Sequence, residues 1–255
     1  MKKRYFIYFS YNGAAYVGWQ MQHNGISVQE VMQKAFSTVL RHDVEITAAG
    51  RTDSGVHARN MVAHLDLEND ILSETDFVNK MNSLLPQDIA LHKIIEVKPD
   101  AHARFDAVSR RYEYHLIVEK NVFLKDFAMR IFQPLDFNAM NMAAETLYEY
   151  TDFTSFSKLH TDVFTNNCKV SFAEWTFDSE KWIFTIEADR FLRNMVRAIV
   201  VTLIEVGRGK MTVDDFRKVI EAKNRNVAGA SVPAKGLYLM EVKYPAEVFQ
   251  PKINR

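Results

Sequence analysis

Three ionisable side chains, Arg51, Asp53 and His57, stand within seven residues of one another in "GRTDSGVHA", Gly50 to Ala58. A turn between two strands needs glycines but no charges, so Asp53 is a candidate for chemistry. A carboxylate can attack or stabilise an electron-poor carbon, or take up a proton, and a nearby arginine keeps it ionised. With His57 it is also the beginning of a metal site for phosphodiester cleavage, but the loop offers no second acidic ligand. The competing structural reading is a glycine-supported turn in which Asp53 caps its own backbone. Length weighs against that reading: Gly50 to Arg59 spans ten residues, whereas hairpin loops usually run about two to five and longer ones are often functional.

Other chemistries find little support. A P-loop, a dinucleotide glycine fingerprint, a HExxH zinc pair and a GxSxG elbow are all absent. His64 in "HLD" and His102 in "HAR" read as polar residues on a strand or strand end rather than as metal ligands. Cys168 is the one cysteine, which rules out a disulfide within the chain and a thiolate cluster, and it reads as a small buried residue. Thirty-two basic residues balance thirty-two acidic ones, so net charge does not mark a nucleic-acid binder. Basic residues nonetheless gather at Arg51/Arg59, Arg104/Arg110/Arg111, Arg190/Arg193/Arg197 and Arg208/Lys210, and folding can bring such clusters into one phosphate-binding face.

The elements that must position these residues follow from periodicity. Arg4 to Tyr11, "RYFIYFSY", is a strand pattern. "SVQEVMQKAFSTVLRH" places Val28, Val31, Met32, Ala35, Phe36, Val39 and Leu40 on one helical face, and Ser27 with Glu30 matches a capping box. Val44 to Ala49 and "NMVAHLDL" predict strands on either side of the loop. A helix from about Thr75 to before Pro86 and the strand "IALHKIIEV" then complete a βαββαβ order. The second half repeats it. "SRRYEYHLIV" is a strand, "DFNAMNMAAETLYEY" a helix capped by Asp136, and "CKVSFAEWTF" and "WIFTIEAD" a hairpin across Asp178 to Lys181. "RNMVRAIVVTLIEV" is a helix ending at Gly207 as a left-handed cap, a further helix starts near Thr212, and "LYLMEVKY" is the last strand. The expected fold is α+β: two ferredoxin-like halves, 1–104 and 105–255, with joined antiparallel sheets. No apolar run is long enough to cross a bilayer, and Tyr5 to Ser10 is too short for the apolar region of a signal peptide, so a cytoplasmic protein is expected.

Six further stretches accompany the loop: "YNGAAYVGWQMQ" (11–22), "HARFDAVSRRYEY" (102–114), "TDFTSF" (151–156), "FLRNMVRAIV" (191–200), "EVGRGK" (205–210) and "GLYL" (236–239). In these motifs and in their order the chain resembles the TruA-type tRNA pseudouridine synthases. The resemblance implies that Asp53 is the catalytic carboxylate, that Tyr112 stacks on the target base, that Arg197 pairs with the aspartate and that Arg51 helps hold the extruded nucleotide. It implies conversion of uridine to pseudouridine at positions 38 to 40 of the tRNA anticodon stem-loop, no metal or organic cofactor, and a homodimer with one tRNA spanning both subunits. Arg110, Arg111 and Arg193 are candidate RNA contacts. The chain departs from the family pattern at Ser54, where alanine is common, at Arg193-Asn194, where some members have two histidines, and at Val201, where many have glycine. A non-catalytic tandem RNA-binding module shares the βαββαβ order and aromatic strands, but it lacks need of the long Asp53 loop.

Overall fold

The computed structural model describes residues 2–68, 71–158 and 165–249. They fold into two compact units, one of residues 1–108 with 239–255 and one of 109–238. The structure is mixed α+β, with strands that pair almost entirely antiparallel.

In chain order the first unit contains β1 (Lys3–Tyr11), α1 (Val28–Leu40), β2 (Thr47–Ala48), β3 (His57–Leu67), α2 (Glu74–Leu84) and β4 (Ile89–Glu96). Strand β1 lies between β3 and β4 and is antiparallel to both, with Ile7 opposite Ala63 and Ile94. Strand β2 keeps only two residues, Thr47 and Ala48, against His64 and Ala63, where sequence predicted a strand from Val44 to Ala49. Helix α1 begins where Ser27 accepts from the Glu30 amide, and α2 where Ser73 accepts from the Asp76 amide. The apolar face of α1, with Val28, Met32, Ala35 and Phe36, is buried, and the Phe36 ring meets Phe77 of α2 at 5.8 Å.

The second unit contains β5 (Ser109–Ile117), β6 (Met129–Arg130), α3 (Phe137–Glu145), β7 (Val170–Asp178), β8 (Lys181–Ala188), α4 (Met195–Gly207) and α5 (Val213–Glu221). Strand β8 lies between β5 and β7, antiparallel to both, and β6 adds a short parallel pair to β5. Helix α3 is capped by Asp136 through the Ala139 amide and stops at Glu145, passing into a 3₁₀ turn over Thr146–Glu149 rather than continuing to Tyr150. Helix α5 has a full capping box between Thr212 and Asp215.

Two differences from the sequence reading have clear causes. Gly207 is not a left-handed cap. It is the last residue of α4, and a Cβ there would sit 2.5 Å from the Met140 sulfur of α3, so that side chain would have to shift; Gly209, with φ 70°, makes the turn. The chain from Leu239 onward groups with the first unit, whereas the expected division ran from 105 to 255. The final strand β9 (Leu237–Lys243) lies next to β3, and Phe249 bridges to Val97, so this segment shares the core of residues 1–108.

Candidate active site

The loop between β2 and β3 is held by the segment just after β1. The Tyr11 hydroxyl shares a buried 2.7 Å hydrogen bond with Thr52 Oγ1, and the Trp19 amide donates to the Thr52 carbonyl at 3.2 Å. On the far side of Asp53, Ser54 Oγ and the Gly55 amide both donate to the Tyr16 carbonyl, at 3.2 and 3.4 Å. The residues before and after Asp53 are therefore both pinned, and Asp53 lies half-buried between them. Gly55, with φ 79°, lets the chain reverse so that the Val56 amide reaches the Asp53 carbonyl at 3.1 Å.

This contact explains the glycines of "YNGAAYVGW". A Cβ on Gly13 would meet the Val56 carbonyl oxygen at 2.0 Å, and one on Gly18, which has φ 104°, would meet the Thr52 oxygen at 2.4 Å. Backbone lies on backbone here, with no room for a side chain. The clasp is itself anchored: Gly18 and Trp19 carbonyls accept from the Val28 and Gln29 amides at the start of α1, satisfying two of its orphan donors. Tyr16 donates its hydroxyl to Asp88 at 2.7 Å, and burial together with that carboxylate pushes its pKa well above the ordinary tyrosine range.

The charged residues of the loop divide by role. His57 is buried and its Nδ1 accepts from the Gly13 amide at 3.1 Å, which places the ring proton on Nε2 and gives the histidine a positioning task. Arg51 is exposed. Gly50 has open space about its missing Cβ, so local sterics do not require a glycine there. Among the described residues, no group of three histidine, cysteine or acidic side chains is arranged to hold a metal ion.

The remaining candidates sit in the second unit. Tyr112, on β5 opposite Ile186, is half-buried, and the Phe191 ring meets it edge-on at 5.1 Å. Alternation along the strand puts Arg110 and Tyr114 on the same face as Tyr112, with Arg111 on the other. Arg111 is bonded to Glu187 through Nε and Nη2, at 2.9 and 2.8 Å, and the same carboxylate accepts from Ser109. That pair fastens β5 to β8. Arg110 donates to the Asp189 carbonyl at 2.7 Å, and Arg193 is exposed.

Arg197 occupies the first turn of α4, half-buried on an otherwise apolar helix. Its Nε donates to the Val232 carbonyl at 2.7 Å, so its stem is drawn to the protein rather than extended to water. A strap of residues 231–233 organises this region. Ser231 accepts from Asn194 at 2.6 Å and from Arg225 at 3.2 Å, Val232 fixes Arg197, and Pro233 accepts the buried Tyr114 hydroxyl at 2.9 Å. Burial pushes the Tyr114 pKa far up, while the positive charge of Arg197 pulls it the other way. Sequence reading did not single out Phe191 or this strap. The strap carries no motif of charge or glycine, and only its place beside α4 gives it a role.

Residues 7–106 and 143–245 match the family model described as tRNA pseudouridine synthase. The chain is 59% identical over 249 residues to the tRNA pseudouridine synthase A of Bacteroides fragilis, covering 97% of this chain and 99% of that one. It is 56% identical over 256 residues to the protein of that name from Bacteroides thetaiotaomicron, covering 99% of this chain and 95% of the other. A more distant relative of the same name, from Exiguobacterium sibiricum, is 37% identical over 243 residues, with 95% and 97% covered.

Proposed function

This chain belongs to the tRNA pseudouridine synthase family, isomerases of uridine in tRNA, and we propose that its targets are the uridines at positions 38 to 40 of the anticodon stem-loop. We propose further that it works as a homodimer in the cytoplasm, without metal or organic cofactor, and that Asp53, Tyr112 and Arg197 carry the reaction. Among the described residues, no helix is long and apolar enough to cross a membrane.

The reaction needs few parts. The bond from ribose C1′ to N1 breaks, the uracil turns, C1′ joins C5, and the proton leaves C5 as N1 regains one. Nothing is oxidised and no water is consumed. An ionised Asp53 oxygen serves either route open to a carboxylate: attack on C1′, or removal of a ribose proton to give a glycal. Tyr112 offers a ring face to the uracil and a hydroxyl for the C5 proton. Arg197, through its planar fork, keeps the carboxylate charged and aimed once the site is closed to water. Arg51, Arg110 and Arg193 meet the phosphates of the extruded nucleotide and its neighbours, and Arg111 contributes by holding the strand that carries Tyr112. The base leaves its stack first, at a cost of a few kcal/mol.

One observation carries this reading above a purely RNA-binding module. The residues on both sides of Asp53 are fixed by backbone partners from a separate segment, an outlay of structure that a stacking platform on β1 does not require. Unmodified tRNA carrying tritium at uridine C5 tests it directly. The enzyme releases tritium to water and a binding module leaves it in the RNA; label at single uridines of the anticodon arm reads the proposed positions.

A further inference from the structure

The motif "EVGRGK" takes no part in the site just described. Its glycines are accounted for by Met140 and by the turn at Gly209, which leaves its charges to be explained. Glu205 accepts from Arg208 Nη1 at 2.6 Å and from Lys210 at 3.4 Å. Burial alone would raise the Glu205 pKa, but these two cations hold it below the usual carboxylate range. The Arg208 Nε is buried and has no hydrogen-bond partner among the described residues. One carboxylate thus aims two cations and neutralises only one.

Both cations line a cleft of about 300 Å³ whose other wall comes from the segment at β6, with Arg130, Phe132 and Gln133. Phe132 is 80% exposed, and the Arg130 guanidinium lies 4.5 Å from its ring centre. The Phe132 ring thus exposes a stacking surface beside a guanidinium, and aromatic rings beside cations suit a base joined to a phosphate. With Arg130, Arg208 and Lys210 against Glu205 alone, the cleft carries surplus positive charge.

We propose that this cleft binds a backbone phosphate of the RNA substrate, with the adjoining base stacked on Phe132. This rests on the reading of the chain as a tRNA-modifying enzyme, and it shares no residue with Asp53, Tyr112 or Arg197. The cleft raises affinity and leaves the chemical step to those residues.

The test uses the full chain, unmodified tRNA transcript, and three exposed substitutions: Arg130→Ala, Lys210→Ala and Phe132→Leu. Binding is measured across a salt series, alongside tritium release and the melting temperature. Arg130→Ala and Lys210→Ala should each lower the slope of log K against log salt by about one, the signature of one lost phosphate contact. Phe132→Leu should weaken binding by roughly tenfold, in the range for one stacked base, with the slope retained. All three should raise KM while kcat at saturating tRNA holds. Affinity and slope within twofold of wild type in all three overturn the proposal. So does a change in sedimentation that appears without RNA, since a second copy would then cover the cleft. Failure of the wild-type enzyme to release tritium counts against the enzymatic reading instead, and the binding series still reads the cleft.

Discussion

The two units contain the same hairpin connection built in opposite ways. Between β7 and β8 the ladder runs to its end, with Asp178 opposite Lys181, and the turn closes over Ser179 and Glu180 with φ 54° at Ser179. Between β2 and β3 the pairing stops early, the Ala49 amide still donating to Val62, and Thr52, Ser54 and Gly55 are gripped by Tyr11, Tyr16 and Trp19. Charge does not distinguish them. The short turn also holds Asp178, Glu180 and Lys181, but these are paired loosely at the surface, with 3.9 Å between Asp178 and Lys181. What separates the two connections is the set of backbone partners on either side of Asp53, which suits the catalytic role proposed for it. A group that must meet a reacting carbon needs placement within fractions of an ångström, and a solvated turn does not provide it.

The most severe way to probe this contrast is Asp53→Asn. Turnover on tRNA should fall more than about a thousandfold with melting temperature and tRNA affinity kept, while Glu180→Gln leaves all three alone. A loss within tenfold, about 1.4 kcal/mol of transition-state stabilisation, removes Asp53 from the chemistry. Next in size is Tyr112. Tyr112→Phe should cost roughly a hundredfold or more in rate, the scale of a lost proton relay, and retain affinity, whereas Tyr112→Leu should lose both. Equal rates for Phe and wild type leave Tyr112 with a stacking role only.

Arg197→Lys preserves charge but not the fork that already uses Nε on Val232, and should lose about a hundredfold in single-turnover rate. Arg197→Met should lose more. Full activity in the lysine variant refutes a two-pronged pairing with Asp53. Smaller still, Gly18→Ala forces a Cβ to 2.4 Å from the Thr52 oxygen at a φ of 104°, so the grip on the loop must shift. We expect about tenfold in rate and a drop in melting temperature, on the scale of 1–3 kcal/mol for backbone strain. A wild-type rate would mean that the loop does not need its clasp. Finally, Ser179→Gly relieves a left-handed serine in the plain turn and should stabilise the protein by up to about 1 kcal/mol without altering turnover, as a melting curve would show.

Much of the fold was legible because its signals are local. Period-2 and period-3.6 patterns placed β1, α1, β3, α2, β4, β5, β8 and α4 within a few residues, and Ser27, Asp136 and Thr212 act as helix caps. Misreadings fell where tertiary contacts outvoted local preference. At Gly207 the Met140 side chain explains the glycine that a helix stop seemed to need, and β2 shrinks to Thr47 and Ala48 as the chain turns into the gripped loop.

For the site, sequence by itself determined the residue types and their motifs: an aspartate in a long inter-strand loop, a tyrosine on a strand, an arginine in the first turn of an apolar helix. Tertiary structure alone decided what each does to its neighbours. Whether His57 is a ligand or a support depends on Gly13, forty-four residues away in the chain, and whether Arg111 is available to RNA depends on Glu187 across the sheet. Hydrogen bonds and ion pairs form between atoms within about 3 Å of each other, and no periodicity records which distant residues folding will bring to that distance.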